Sequence, residues 1–154
     1  MQVKTKWFGT LEIGEDKIIT FQKGLIGLDE FKKYTIVYNT EKSESASIMW
    51  LQSLEDESIS IPVINPETFF PGYDPIVEDE LLDCVGDVKN AELLVLVTLT
   101  VHSDITKMTS NLKAPIIINT DNLKACQLIA DNQDYIVKYP IYDIIKQNSK
   151  KGGE

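Results

Sequence analysis

Short apolar stretches alternate with polar turn signals along most of the chain. β-branched and aromatic residues dominate these stretches, which favours extended strands over helices. Eight segments have this character, at residues 2–7, 17–21, 34–38, 48–53, 59–64, 93–101, 115–119 and 125–130. Their spacing predicts a mainly β protein, a small antiparallel β-barrel or sandwich with one or two short helices.

Two of these segments alternate with a period of two. Val3, Thr5 and Trp7 alternate in the first segment, and Ile59, Ile61 and Val63 alternate in another. Such alternation predicts strands with one buried and one solvated face. We therefore expect Trp7 to lie in a half-buried strand.

The stretch DPIVEDELLDCVG, residues 74–86, is the strongest candidate for a helix. Asp74 can cap its first turn, Pro75 suits the first helical position, and Gly86 suits the end. Carboxylates near a helix start interact favourably with the helix dipole, and three lie in its first half: Glu78, Asp79 and Glu80.

The stretch TSNLKAPIIIN, residues 109–119, predicts a turn that leads into a buried strand. Pro115 is tolerated at the first residue of a strand, and it biases Ala114 towards an extended conformation. The three isoleucines then pack well on a pleated surface. Asn111 and Asn119 stay open, since asparagine serves turns by bonding its own backbone and also serves partner contacts.

Length and composition predict one domain with a single core. The chain has 154 residues, of which 43% are hydrophobic. We expect a β domain over residues 1–145 and a disordered tail over 146–154. Its apolar stretches are too short to cross a bilayer, and its start has no apolar signal region, so we expect a cytoplasmic protein that binds no membrane. Cys84 and Cys126 lie far apart in sequence, which predicts buried free thiols.

The charge distribution disfavours nucleic acid as a partner. The net charge is −9, and between Lys42 and Lys89 there are eleven acidic residues and no basic one. The chain contains no arginine, the side chain that reads phosphate and guanine through two parallel hydrogen bonds. Direct binding of nucleic acid is therefore not expected.

Candidate catalytic chemistry is sparse. The single histidine, His102, is followed by Ser103 and Asp104, yet adjacent residues of an extended chain point to opposite faces and cannot form a triad. Neither the cysteines nor the carboxylates have the spacing of a zinc or calcium site. Gly24 and Gly27 predict a tight turn after the second segment and lack the pattern of a phosphate loop. We expect no catalytic residue, metal or cofactor.

Several motifs taken together resemble the FliW family of flagellar assembly factors. They are GTLEI with IITFQKGLIGL near the start, WLQSLEDESISIPVINPETFFPGYDP in the centre, and LTV followed by TSNLKAPIIIN. QLI and YPI continue the match from Gln127 to Ile141. The matches run in order over nearly the whole chain, with the last dozen residues outside.

This resemblance implies a small β-rich protein without catalytic activity that binds two other proteins. One is flagellin, held in the cytoplasm before export. The other is the carbon storage regulator CsrA, an RNA-binding repressor of flagellin translation, which FliW-like proteins antagonise. Export of flagellin would free the protein to capture the repressor, so that flagellin synthesis resumes.

Candidate partner-binding residues come from three places in the sequence. The FFPGY motif and the acidic stretch after it offer aromatic and charged anchors. The loop after the long strand offers Ile105 and Met108, apolar residues that we expect to be exposed. The full set is Phe70, Tyr73, Asp74, Glu78, Asp79, Glu80, Ile105, Met108, Asn111 and Leu112.

Within this set we expect separate roles. The acidic helix is expected to capture the repressor, and the loop from Ile105 to Leu112 is expected to recognise flagellin. Pro115 and Asn119 are expected to be structural.

Two other classes of function stay open. One is a small β-barrel that binds or converts a metabolite, for which a deep polar pocket with converging titratable residues would be diagnostic. The other is a structural module that binds the flagellar apparatus and has no effect on the repressor.

Overall fold

A computed structural model describes residues 1–38, 48–77, 83–86, 92–101 and 103–143. The expected tail at 146–154 lies outside these ranges. Within them no helix has the length and hydrophobicity needed to span a lipid bilayer. The strands are β1 Gln2–Lys4, β2 Thr10–Glu12, β3 Ile19–Phe21, β4 Lys33–Tyr38, β5 Met49–Ser53, β6 Ser60–Ile64, β7 Leu93–Thr100, β8 Thr109–Ser110, β9 Ile116–Asn119, β10 Lys124–Gln127 and β11 Tyr139–Pro140.

Seven of these strands form a closed barrel, which confirms the predicted fold class. Neighbouring strands pair in the order β3, β4, β5, β6, β7, β9 and β10. All of these pairs are antiparallel except the closing one, in which β10 runs parallel to β3. β8 and β11 extend the sheet beside the end of β7, and β1 with β2 forms a separate hairpin.

All eight predicted segments contain a strand, although most strands are shorter than predicted. β2, β8 and β11 were not predicted, because two or three residues carry too little periodicity to register. The expectation for Trp7 was wrong, since β1 ends at Lys4 and the Trp7 side chain is 57% exposed.

Side chains from every barrel strand fill the interior. The buried members of this core are Ile19, Phe21, Leu25, Tyr34, Leu51, Val63, Leu96, Ile116, Ile118 and Ala125. Phe21 and Tyr34 meet edge to face with ring centroids 5.3 Å apart, an arrangement that suits the aromatic quadrupoles. The barrel is therefore packed with protein side chains and is not an open channel.

The predicted glycine turn after β3 is confirmed. Gly24 has φ +66° and donates its N–H to the carbonyl of Phe21 at 3.0 Å. A Cβ atom at this position would lie 2.7 Å from the Leu28 carbonyl oxygen. Only glycine suits this turn, which folds Leu25 back into the barrel core.

Pro62 limits the contact between β6 and β7. The N–H of Ser53 bonds to the carbonyl of Ile59, so odd-numbered residues of β6 bond towards β5 and Pro62 faces β7. Proline has no N–H for a ladder. The two strands accordingly share a register of only two pairs, Val63↔Thr98 and Ile64↔Val97. β6 and β7 diverge beyond this point and open one mouth of the barrel.

Two further hydrophobic clusters pack against the outside of the barrel. The larger cluster contains Ile64, Phe69, Tyr73, Val97, Leu99, Met108, Leu112, Ala130, Tyr135 and Ile141. The smaller one contains Val85, Ile117, Cys126 and Leu128. The connecting segments therefore form a fixed second layer over one side of the barrel.

The expected helix start at Asp74 was wrong. Residues 74–77 are irregular, and residues 83–85 form a single 3-10 turn. Tertiary bonds replace the helical ones, since the N–H of Asp74 bonds to the Tyr135 hydroxyl and that of Ile76 bonds to the Asn132 side chain. Glu78, Asp79 and Glu80 lie outside the described residues.

We expect Tyr34→Phe to stabilise the barrel. Tyr34 is fully buried, and within the described residues its hydroxyl has no hydrogen-bond partner. A buried hydroxyl without a partner costs free energy, so its removal should raise the free energy of unfolding by about 1 kcal/mol. Denaturant titrations of both proteins at neutral pH measure this difference.

The same variant should also change alkaline stability. Burial, and secondarily the Glu55 carboxylate, raises the pKa of Tyr34 to about 12. The pKa of tyrosine in the unfolded chain is about 10, so the unfolded state loses this proton at a lower pH than the native state. Stability therefore falls as the pH rises from about 10 to about 12. Tyr34→Phe should lose less stability over this interval. Equal losses in both proteins would contradict the prediction.

Candidate partner-binding surfaces

The motif TSNLKAPIIIN becomes two strands joined by a bulge. β8 and β9 both run antiparallel to β7, through the pairs Leu99↔Ser110 and Leu96↔Ile116. Between these pairs β7 advances three residues while the facing chain advances six, so the facing chain has three extra residues. We call residues 111–115 the bulge. A bulge lets a strand bend and re-aim its side chains.

Hydrogen bonds hold the bulge along its length. Asn111 accepts the N–H of Lys113 at 3.0 Å through its side chain, the bond expected of a turn residue. The carbonyl of Pro115 accepts the N–H of Leu128, and that of Lys113 accepts the N–H of Ala130. The bulge therefore has a fixed shape and holds the chain that follows β10.

Tyr73 connects the FFPGY motif to the bulge. Its hydroxyl donates to the carbonyl of Leu112 at 2.7 Å, and burial raises the pKa of this hydroxyl. Its ring stacks on Tyr135 at 4.8 Å, and the half-buried Phe70 meets both rings edge to face. Tyr139 contacts Phe70 from the C-terminal strand. Aromatic residues from distant parts of the sequence thus form one cluster.

The structure brings four predicted site residues together in this cluster, and most of them lie beneath the surface. Leu112 is fully buried, and Tyr73 and Met108 are 7% and 9% exposed. The expectation that Met108 is exposed was therefore wrong, because Met108 packs into the larger outer cluster. Phe70 is half-buried at the cluster edge.

Three more of the predicted site residues lie within the described ranges. Asp74 is exposed beside the cluster, and Asn111 is half-buried. Ile105 begins a 3-10 turn, Ile105–Lys107, but its side chain lies outside the described part of the structure. Contact of these residues with a partner stays a prediction.

Sequence reasoning missed the exposed surface beside the bulge. The N–H of Leu112 bonds to the carbonyl of Ile136, and the N–H of Asp131 bonds to that of Ile76. These bonds place exposed apolar and acidic side chains next to one another: Asp74, Ile76, Asp131, Asp134, Ile136 and Val137. We call this set the bulge face. The acidic DNQDY stretch was the available signal, although its neighbours became visible only in three dimensions.

Asn119 makes the contacts expected of a structural residue. It is 1% exposed, its amide donates to the carbonyl of Val85 at 2.9 Å, and its carbonyl oxygen accepts the N–H of Asp121. Asn122 donates to the same Val85 carbonyl. These bonds anchor the 3-10 turn at 83–85 to the β9–β10 hairpin.

The two cysteines are distant in sequence and adjacent in the fold. Cys126 is buried and Cys84 is half-buried, and both are free thiols. The two thiols share a hydrogen bond, and burial above all raises the pKa of Cys126. A thiol held protonated in this way is a poor nucleophile.

The open barrel mouth is a depression of about 370 Å³. Leu25, Leu28, Ile61 and Ala114 contribute apolar walls, and no titratable side chain lines it. Within the described residues, no group of three or more histidine, cysteine or acidic side chains could hold a metal ion. The polar pocket that would favour the metabolite hypothesis is not found at this mouth.

Together these features define a small closed β-barrel protein whose connecting segments form a fixed outer layer. The FliW protein family model matches residues 2–141, and the chain belongs to this family. It is 56% identical to the flagellar assembly factor FliW of Lachnospira eligens, over 96% of this chain and 98% of that one. It is 48% identical to the FliW of Lachnoclostridium phytofermentans, over 98% and 97%.

A solved structure agrees with the sequence relatives. The crystal structure of a flagellar assembly factor FliW is 28% identical to this chain and superimposes with a TM-score of 0.81. The match covers 92% of this chain and 96% of the other. The barrel and its outer layer are therefore shared with that protein.

We expect Tyr73→Phe to destabilise the protein. The change keeps the ring but leaves the Leu112 carbonyl without its donor, which costs about 1–3 kcal/mol for a buried group. The melting temperature should fall by several degrees. Tyr139→Phe is the matched control, since it removes a hydroxyl from a half-buried ring of the same cluster. If both variants melted like the wild type, the bond to Leu112 would not stabilise the bulge.

Proposed function

We propose that this chain is a non-catalytic, cytoplasmic regulator of flagellar assembly that binds flagellin and the translational repressor CsrA. While flagellin is held, the repressor stays free and blocks flagellin synthesis. When flagellin is exported, this protein captures the repressor and synthesis resumes.

The observation that carries this proposal is the near full-length match to flagellar assembly factors. It reaches 56% identity over 96% of the chain. The motifs of this chain that resemble the family include the FFPGY and NLKAP segments. Both segments build the bulge and the aromatic cluster beside it. Residues that shape this surface thus belong to motifs that resemble the family.

The electrostatics suit a basic partner. A net charge of −9 without arginine favours attraction of an RNA-binding protein and disfavours binding of the RNA itself. On the bulge face, Asp74, Asp131 and Asp134 stand beside exposed Ile76, Ile136 and Val137. An apolar centre with a charged rim is the usual composition of a protein interface. We assign the repressor to this face, with Phe70 at its edge.

The barrel mouth gives little support to the metabolite alternative. Its depression is open, and its polar lining side chains are neutral. Gln127, which lines it, is already bonded to the N–H of Ile26 and the carbonyl of Ala114. Without converging titratable groups, acid–base chemistry at this mouth has no candidate residues.

The proposed switch predicts that flagellin and the repressor weaken each other's binding to this protein. Coupling between two binding equilibria is reciprocal, so each partner must change the affinity of the other by the same factor. Calorimetry with the repressor as titrant, into free protein and into protein saturated with flagellin, measures that factor. The reverse order of addition must return the same value.

A gel-shift assay provides the control for direct RNA binding. The protein alone should leave flagellin leader RNA unshifted at physiological salt, and it should release the RNA from the repressor.

Equal affinities of the repressor for free and for flagellin-saturated protein in the calorimetric titrations would reject the switch. If the protein bound flagellin but never the repressor, the structural-module hypothesis would replace it.

Charge reversal on the bulge face should slow capture of the repressor. In the double variant Asp131→Lys, Asp134→Lys, association should slow by about tenfold at low salt, because charges at an interface rim act mainly on encounter. The matched control is Glu15→Lys, Asp16→Lys, which reverses two exposed carboxylates of another turn, Glu15–Lys17. Equal slowing in both variants would indicate an effect of net charge alone and would remove the bulge face from the interface.

A further inference from the structure

The two tryptophans of the chain pack against each other on the outside of the barrel. The ring centroids of Trp7 and Trp50 are 6.0 Å apart, and Phe8 meets Trp50 at 6.4 Å. Trp7 is 57% exposed, and the other two rings are half-buried. We call these three residues the tryptophan patch.

The exposure of Trp7 results from a well-bonded turn. After β1, Thr5 donates its N–H and its hydroxyl to the carbonyl of Gly9, at 2.9 and 2.7 Å. The same hydroxyl accepts the N–H of Phe8, and Gly9 closes the turn at φ +68°. Trp7 therefore stands at the tip of an ordered turn, with its ring held outwards.

Gln52 ties this turn to the barrel. It is fully buried on β5, and its side-chain oxygen accepts the N–H of Lys6 at 3.1 Å. Its amide donates to the carbonyls of Ser53 and Glu57. Trp50 precedes Gln52 by two positions on β5. It lies between Val37 and Pro62 of the neighbouring strands and supports Trp7 from below. The patch is thus preorganised, which reduces the entropy lost on binding.

The charge around the patch is opposite to that of the whole chain. Lys4 and Lys6 are both exposed, and the Lys6 amine lies 4.9 Å from the centre of the Trp7 ring. Glu12 is the only acidic residue in positions 1–12, and it pairs with the terminal amine at 2.6 Å. The exposed Glu57 lies in the neighbouring loop. An exposed tryptophan beside two lysines suits an apolar segment that carries carboxylates.

We propose that the tryptophan patch is the flagellin-binding surface, and that it takes a flagellin segment in which apolar side chains lie next to carboxylates. This inference rests on the proposed function, which names two partners. Lys4 and Lys6 repel a basic repressor, so the patch suits the export substrate, and the acidic bulge face remains for the repressor. Met108, one of the two anchors expected in the 105–112 loop, is buried, and so is Leu112.

The test compares purified flagellin and purified repressor as separate titrants against the full chain. Trp7→Ala should weaken flagellin binding by about tenfold or more, as truncation of an interface tryptophan does, and leave repressor binding within about twofold. Ile26→Ala is the matched control, because Ile26 is an aliphatic residue with the same 57% exposure at the barrel mouth. Its affinity for flagellin should equal that of the wild type.

Lys6→Glu provides a second variant that keeps the aromatic packing. It should slow flagellin association at low salt, and the difference from wild type should shrink as salt increases. Lys124→Glu, a reversal of an exposed lysine on β10, controls for net charge. Melting curves of all four variants establish that each is folded.

The outcomes separate the patch from the function it rests on. If wild-type protein binds flagellin and both Trp7→Ala and Lys6→Glu bind it equally well, the patch assignment is overturned while the proposed function stands. If Trp7→Ala loses the repressor and keeps flagellin, the occupant is wrong. If wild-type protein does not bind flagellin, the proposed function and this inference both fail.

Discussion

The parallel pairing of β10 with β3 is the constraint on which the rest of the structure depends. It consists of two register pairs, Lys124↔Thr20 and Ala125↔Phe21, and it converts an open sheet into a barrel without free edges among those seven strands. The β9–β10 hairpin makes this closure geometrically accessible. Leu123, the residue before β10, adopts φ +58°, and its carbonyl accepts the N–H of Thr20 at 2.9 Å. A leucine held in this region stores strain that the surrounding packing must offset.

Closure leaves little room inside the barrel, so the proposed binding surfaces lie outside it. Pro62 and the bulge each interrupt a ladder of β7, the first by lacking an N–H and the second by inserting residues. The chain leaves the sheet at these two places. The segments that follow contribute to the aromatic cluster, the bulge face and the open mouth. Tyr73 holds this outer layer to the bulge through its bond to Leu112. In a fold this small, interrupted strand pairing creates surfaces with a defined shape.

Two faces of opposite character follow from this arrangement. The bulge face carries carboxylates beside exposed aliphatic side chains, and the tryptophan patch carries lysines beside the exposed Trp7 ring. Two proposed partners of different charge can therefore be distinguished by electrostatics as well as by shape. Because the faces are built from different segments, mutual weakening of the partners would have to pass through the packed barrel between them. Packed cores transmit such changes when they have two discrete arrangements.

The sequence by itself determined the fold class, the positions of the long strands and the family, because periodicity of two, β-branched runs and long motifs are local properties of the chain. It also determined the net charge, on which the expectation that RNA is not a direct ligand rests. Tertiary structure decided which apolar residues are accessible. Met108 and Leu112 were expected at an interface and are buried, whereas Trp7 was expected in a strand and is exposed. It also decided that residues 74–77 are not helical, since Tyr135 and Asn132 bond their N–H groups. Burial and hydrogen bonding between residues about sixty positions apart depend on where the chain returns in space, and no local pattern encodes that return.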